Sequence, residues 1–148
     1  YQRFGCDEAP RYVSWSRQNR SQLVRIPMVK GDNCRMELRS PDPACNPYLA
    51  IGLVLAAGLD GIEHRMVLQP PVNKNLFRPG EAEGLGLEML PATLEEAVAI
   101  AEESDFLHKV LPEELSRRYF AEERARCEAL RAAADPAEYE RIHYFNAI

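Results

Sequence analysis

Arginine and glutamate alternate in CRMELRSPDP, residues 34–43, where Met36 and Leu38 separate Arg35, Glu37 and Arg39. Side chains of a β-strand alternate between faces, so i, i+2 and i+4 share one. Met36 and Leu38 then turn to a core, and an arginine–glutamate–arginine row turns to whatever lies opposite. On a solvated strand this is an ordinary charged face. Set against a ligand, it is a site that holds anions and a cation together, because guanidinium forks match carboxylate and phosphate oxygens. Glu37 would be only a partial ligand set for a divalent cation, since Mg²⁺ wants near-octahedral oxygen coordination. Its plain structural role is counter-ion to two arginines.

The same third of the chain is rich in further arginine. Residues 1–39 carry eight basic groups, seven of them arginine, against Asp7, Glu8, Asp32 and Glu37. The net of +4 there leaves −9 for the remainder of a chain whose total is −5. The overall acidity argues against general nucleic-acid binding, while the arginine-rich third reads as an anion-handling region. Arg20 and Arg25 lie five apart in NRSQLVRIP. In an unbroken strand that spacing puts them on opposite faces, so a shared anion requires a turn or bulge between them.

These residues must be positioned by short strands. YVSWS, QLVRI and CRMELRS are strand-like, separated by RQN and by the turn-rich KGDN. Helical signals follow. Asn46-Pro47 opens a helix over about residues 48–57, ended by Gly58 or Gly61, and its all-apolar run YLAIGLVLAAGL predicts a buried central helix. Residues 67–91, rich in proline and glycine, read as a long loop that is functional or lies along a neighbouring surface. Thr93 with Glu96 is a capping-box signature. Asp105 is expected to cap a short turn through His108, Pro112–Ala134 to be an amphipathic helix, and Pro136 to start a last helix ending near Phe145. Strands first and helices afterwards make the class α+β. At 148 residues the chain is the size of one domain able to bury a sizeable core.

Other chemistries lack their motifs. There is no GxxxxGK[ST], GxGxxG or GxSxG, so any nucleotide is held by arginines and metal. His64, His108 and His143 share no ligand spacing and read as structural or surface residues. Cys6, Cys34, Cys45 and Cys127 form no CxxC pair, which predicts reduced thiols and a cytoplasmic protein. No signal peptide is visible, and the uncharged run Pro43–Leu59 is short for a membrane span. Tyr1 in place of a start methionine predicts a piece of a longer protein.

NRS…RIP, RMELRSPDPACNPYLA, AAGLDGIE and NKNLF, in this order, together resemble the C-terminal part of bacterial-type glutamine synthetase. The likeness continues through LPATLEEAVAIAEES to the closing EYERIHYFNAI and covers essentially the whole chain. It implies antiparallel strands from the family's barrel-like sheet in residues 1–42 and a mainly helical part in 43–148. It also implies ligation of ammonia to glutamate with ATP and Mg²⁺ or Mn²⁺ through γ-glutamyl phosphate, in double-ring homo-oligomers. By this resemblance Glu37 is a metal ligand, Arg39 binds glutamate, and Arg35 and Arg25 lie at the nucleotide. Arg20 serves both phosphate and substrate. YQRFGCDEAP resembles the mobile flap, with Arg3 a glutamate-binding arginine and Glu8 the glutamate that closes the site and helps deprotonate ammonium. Phosphoryl transfer onto a carboxylate gathers negative oxygens, so positioning and charge stabilisation by arginine and metal suit it.

The chain departs from the family pattern in several places. It is one residue shorter between Arg3 and Glu8. Most of the family's metal ligands and its N-terminal domain are not in this sequence, so these residues alone are expected to be inactive. Phe77 stands where regulated relatives carry an adenylylated tyrosine, and Asp32 where some carry a lysine near the nucleotide. A ligase for another amine, a non-catalytic scaffold and a simple nucleotide-binding module are the alternatives.

Overall fold

Three short strands, β1 (Trp15–Arg17), β2 (Val24–Ile26) and β3 (Glu37–Leu38), form one sheet in the order β1-β2-β3. They belong to a computed structural model that describes residues 1–145. β2 and β3 run antiparallel, with Val24 opposite Leu38 and Arg25 opposite Glu37. β1 and β2 run parallel, with Trp15 opposite Val24 and Arg17 opposite Ile26. The sheet is thus mixed, which corrects the expectation of antiparallel strands throughout. The connection from β1 to β2 is not a hairpin, because it is tied to a distant segment. Gln18 takes a left-handed conformation (φ 69°), and Asn19 Nδ2 and Gln22 Nε2 donate to the Lys74 carbonyl at 2.6 and 3.1 Å. Strands of three residues span only about 10 Å, so this detour suffices to bring the chain back to the same end of the sheet.

The strands are also shorter than their sequence pattern suggests. Tyr12 makes only an isolated bridge with Met89, and the chain before β3 is a 3₁₀ turn, Gly31–Asn33. The proline- and glycine-rich loop lies along β1. Val72 N–H donates to the Trp15 carbonyl at 2.8 Å, and Trp15 Nε1 donates to the Gln69 carbonyl at 2.6 Å. Val13 and Leu90 exchange further backbone bonds with Glu88 and Arg11. Several of the loop's backbone groups therefore have protein partners where it meets β1 and the segment before it.

Helix α1 (Pro47–Glu63) starts where expected, with Asn46 Oδ1 accepting from the Tyr48 and Leu49 N–H groups. It runs past Gly58 and Gly61, correcting the expected stop; both glycines face open space, so neither is forced by packing to break it. It ends before Arg65, which has a left-handed φ of 49°. The expectation of a buried helix is also corrected. Ile51, Leu55, Leu59 and Ile62 are 59–74% exposed, and α1 buries no residue. Leu49, Leu53 and Val54 are half-buried, while these four stay largely uncovered among the described residues.

Four further helices follow: α2 (Leu94–Glu102), α3 (Asp105–Val110), α4 (Glu113–Ala132) and α5 (Pro136–Glu140), then a π-helical turn Arg141–Phe145. Thr93 Oγ1 caps α2 by accepting from Glu96 N–H at 3.1 Å. Ser104, rather than Asp105, caps α3, and Asp135 caps α5. These side-chain oxygens satisfy amides that a helix start leaves without partners.

The chain forms two compact units, Tyr1–Asp42 with Gly61–Ala92, and Pro43–Asp60 with the chain from Thr93 on. The first buries Ala9 and Leu76 together with polar Ser16, Ser21 and Gln22; the second buries Val98 and Phe120 with Ser116 and Glu123. A sizeable apolar core is therefore not what these residues build by themselves.

Candidate functional site

Register brings the first pair of site residues together. Arg25 and Glu37 are direct cross-strand partners on β2 and β3, and Arg25 Nη1 meets Glu37 Oε2 at 2.8 Å. Opposite charges at such positions support the strand pairing. Arg35 reaches the other oxygen, Nε to Oε1 at 3.1 Å, and Arg25 Nε also donates to the Gln18 carbonyl at 2.9 Å. The hydrogen bond from Arg25 holds the Glu37 carboxyl below its ordinary range; partial burial opposes this, and the charges of Arg25 and Arg35 reinforce it.

Arg39 leaves this row. Its N–H still pairs with the Leu23 carbonyl at 2.9 Å, but its side chain turns to the N-terminal segment and not to Glu37. Its Nη2 donates to the Glu8 carbonyl at 2.6 Å and lies 3.9 Å from Glu8 Oε2. Arg39 Nε is buried without an acceptor among the described residues. Glu37 thus sits between Arg25 and Arg35, with Arg39 in a second cluster.

Glu8 organises that cluster. Residues 1–10 fold into tight turns, with Gly5 N–H bonded to the Ala9 carbonyl and Ala9 N–H to the Cys6 carbonyl. Gly5 needs its φ of 84°, and a Cβ there would press on Arg11 Cδ at 3.1 Å. Asp7 is also left-handed (φ 50°), an unfavourable conformation for a non-glycine residue, and it presents Glu8 outward. Arg20 Nη1 then meets Glu8 Oε1 at 3.1 Å. Arg3 Nη2 donates to the carbonyls of Arg39, Ser40 and Pro41 at 3.4, 3.2 and 3.2 Å. Arg3, Glu8 and Arg39 line one cleft of about 340 Å³.

The seven sequence-derived residues therefore form two groups: Arg3, Glu8 and Arg39 around the cleft with Arg20 joined to them through Glu8, and Arg25, Glu37 and Arg35 beside the sheet. Arg20 and Arg25 bind different carboxylates. The sequence reading missed Arg25 as the main partner of Glu37. Aligning VRI against MEL with their apolar residues in register would have found it.

The chemistry available is recognition of anionic oxygens by several guanidinium forks, beside one exposed carboxylate, Glu8, that can take a proton. A divalent cation finds an incomplete donor set. Glu37 is a single carboxylate with both oxygens on arginines, and no three His, Cys, Asp or Glu side chains gather as a metal group among the described residues. Among those residues no helix is long and apolar enough to cross a membrane.

The family model "Glutamine synthetase, catalytic domain" matches residues 1–142. The glutamine synthetase of Methanosarcina mazei is 43% identical over 136 residues, covering 90% of this chain and 30% of the relative. That of Methanocaldococcus jannaschii is 41% identical over 128 residues, covering 85% and 28%. That of Staphylococcus aureus is 37% identical over 139 residues, covering 93% and 31%. Among solved structures, one described as a GmaS/ADP complex in conformation 1 is 31% identical with a TM-score of 0.73, covering 93% of this chain and 30% of that one. The chain thus spans about three-tenths of the length of the curated relatives it matches.

Proposed function

The chain belongs to the glutamine synthetase catalytic-domain family, and we propose that its 148 residues work as the C-terminal part of a longer ligase. In that protein ATP phosphorylates the side-chain carboxylate of glutamate. Ammonia then attacks the acyl phosphate, a C–N bond forms, and inorganic phosphate leaves. The observation that carries this reading is the convergence of Arg3, Glu8 and Arg39 on one cleft, with Arg20 bonded to Glu8.

In this account Arg39 and Arg3 hold the glutamate carboxylates. Arg20 bridges the substrate and the transferring phosphoryl group, whose developing charge a fixed guanidinium stabilises. Glu8 closes over the site and accepts a proton from ammonium. Arg25 and Arg35 face the nucleotide phosphates. Glu37, the carboxylate between them, would give up one arginine contact to offer a single oxygen donor to Mg²⁺ or Mn²⁺, and the further donors would come from outside these residues. Such an ion, when bound, would supply charge neutralisation. The cleft joins only part of a site, so we assign the 148 residues no turnover by themselves, and we assign the longer protein to a double-ring homo-oligomer in the cytoplasm.

Glutamine formation from glutamate, ATP and ammonia by the longer protein, with a panel of small primary amines beside ammonia, tests the proposal. Ammonia is the expected acceptor. Turnover with another amine alone would move the protein to a different γ-glutamyl ligase, and turnover by the 148 residues alone would contradict the partial-site reading.

A further inference from the structure

A second cleft, of about 530 Å³, lies between the β1–β2 connection and residues 73–77. Its walls are tied together. Asn19 and Gln22 both donate to the Lys74 carbonyl, and Leu76 N–H donates to Ser21 Oγ at 2.9 Å. The lining contains two arginines, Arg17 and Arg20, and no carboxylate residue. Arg20 is paired with Glu8 through one nitrogen, and Asn19 and Ser21 donate within the walls, but other lining donors are unspent. Arg17 and Asn73 make no side-chain hydrogen bond or ion pair among the described residues, and Asn75 uses only its Oδ1, accepting from Phe77 N–H at 3.1 Å. Phe77 adds an aromatic wall.

We propose that this cleft binds a phosphate group, with Arg17 and Arg20 facing its oxygens and the carboxamides of Asn73 and Asn75 completing the shell. One guanidinium fork without a carboxylate partner (Arg17), a second that Glu8 engages through a single nitrogen (Arg20), and amide donors suit a tetrahedral polyoxyanion, which competes with Glu8 for Arg20. The volume lies in the range of small-molecule sites, so the phosphate can be free or carried by a nucleotide whose base rests on Phe77. The site goes beyond the ligase reading, in which Arg17, Asn73 and Asn75 have no role; only Arg20 is shared.

The test titrates inorganic phosphate, adenosine 5′-monophosphate and acetate, at equal ionic strength, into the 148-residue chain. The side-chain N–H signals of Arg17, Asn73 and Asn75 are followed by NMR. Saturable phosphate shifts are expected, with acetate producing none. Arg17→Met, at an exposed position that leaves the fold intact, should weaken binding about tenfold or more, and Asn73→Leu should weaken it less. Tighter binding of the monophosphate identifies a nucleotide as the source, and equal binding identifies free phosphate; either upholds the site. The absence of saturable shifts, acetate matching phosphate, or undiminished binding in Arg17→Met would overturn it. No turnover enters this readout, so failure of the ligase proposal and failure of this site are separable.

Discussion

Arg25 and Glu37 are register partners across the β2–β3 pair, and their side chains meet at 2.8 Å. One strand pairing therefore both builds the sheet and fixes the ionisation of the carboxylate assigned toward a metal. Arg35 supports Glu37 from the same chain segment, so the carboxylate is held from two sides before any ligand arrives.

Removing the cross-strand cation should release that carboxylate. In Arg25→Met the Glu37 titration midpoint should rise toward the ordinary glutamate value of 4.5, because the hydrogen bond from Arg25 is the largest influence lowering it. The sign follows from linkage. A lowered folded-state value stabilises the protein above the ordinary carboxylate range and is lost as pH falls through the lowered value. The variant should therefore lack that contribution at neutral pH, and its stability difference from the parent should shrink as pH falls through the lowered value. Carbon-detected NMR of the Glu37 carboxyl checks this, and an unchanged midpoint would contradict it.

Ser21 is buried, and its Oγ accepts from the Leu76 amide and donates to Asn19 Oδ1 at 2.9 Å. Ser21→Ala should leave a buried N–H without an acceptor, at a cost of about 1–3 kcal/mol. Urea unfolding measures it. The same change should loosen residues 73–77, seen as faster amide exchange at Leu76.

Glu123 on α4 is 6% exposed, and burial raises its carboxyl above the ordinary range, with the charge of Arg126 opposing and that of Glu122 adding. A raised folded-state value favours the protonated form, so its contribution is present at low pH and is lost as pH rises through it. Glu123→Gln should therefore be more stable than the parent at pH 7, with the difference vanishing at acid pH. Arg126 keeps its pair with Glu122 at 2.6 Å, so the variant strands no cation. Denaturant midpoints at two pH values decide it.

The exposed apolar residues of α1 should be detectable in solution. Ile51, Leu55, Leu59 and Ile62 recur at helical spacing and stay more than half exposed. The chain should bind a hydrophobic fluorescent dye, and Leu55→Glu should reduce the signal. Equal dye binding by parent and variant would contradict the exposure.

Much of this was legible in the sequence where the controlling interactions are local. Thr93 three residues before Glu96 marked the start of α2, Asn46-Pro47 that of α1, and the order of strands and helices followed from periodicity. Distant ties were not legible. The parallel course of β1 and β2 depends on the Lys74 carbonyl, more than 50 residues from Asn19 and Gln22. Arg39 turns its side chain to Glu8, 31 residues away in sequence, which alternation alone does not reveal. Gly58 and Gly61 looked like helix ends but meet nothing, so α1 continues. For the site, residue types and the family resemblance singled out all seven residues, and only the fold showed their division into two clusters.

The central claim is that the Arg39–Glu8 cleft and the Glu37 cluster serve one ligation reaction. The direct test is glutamate- and ATP-dependent glutamine formation by the longer protein beside its Arg39→Ala and Glu37→Ala forms, with folding of each checked by circular dichroism. The account predicts activity in the parent and a loss of about 100-fold or more in each variant, as for other groups that stabilise transition-state charge. Folded variants that keep activity within a few-fold of the parent would contradict it.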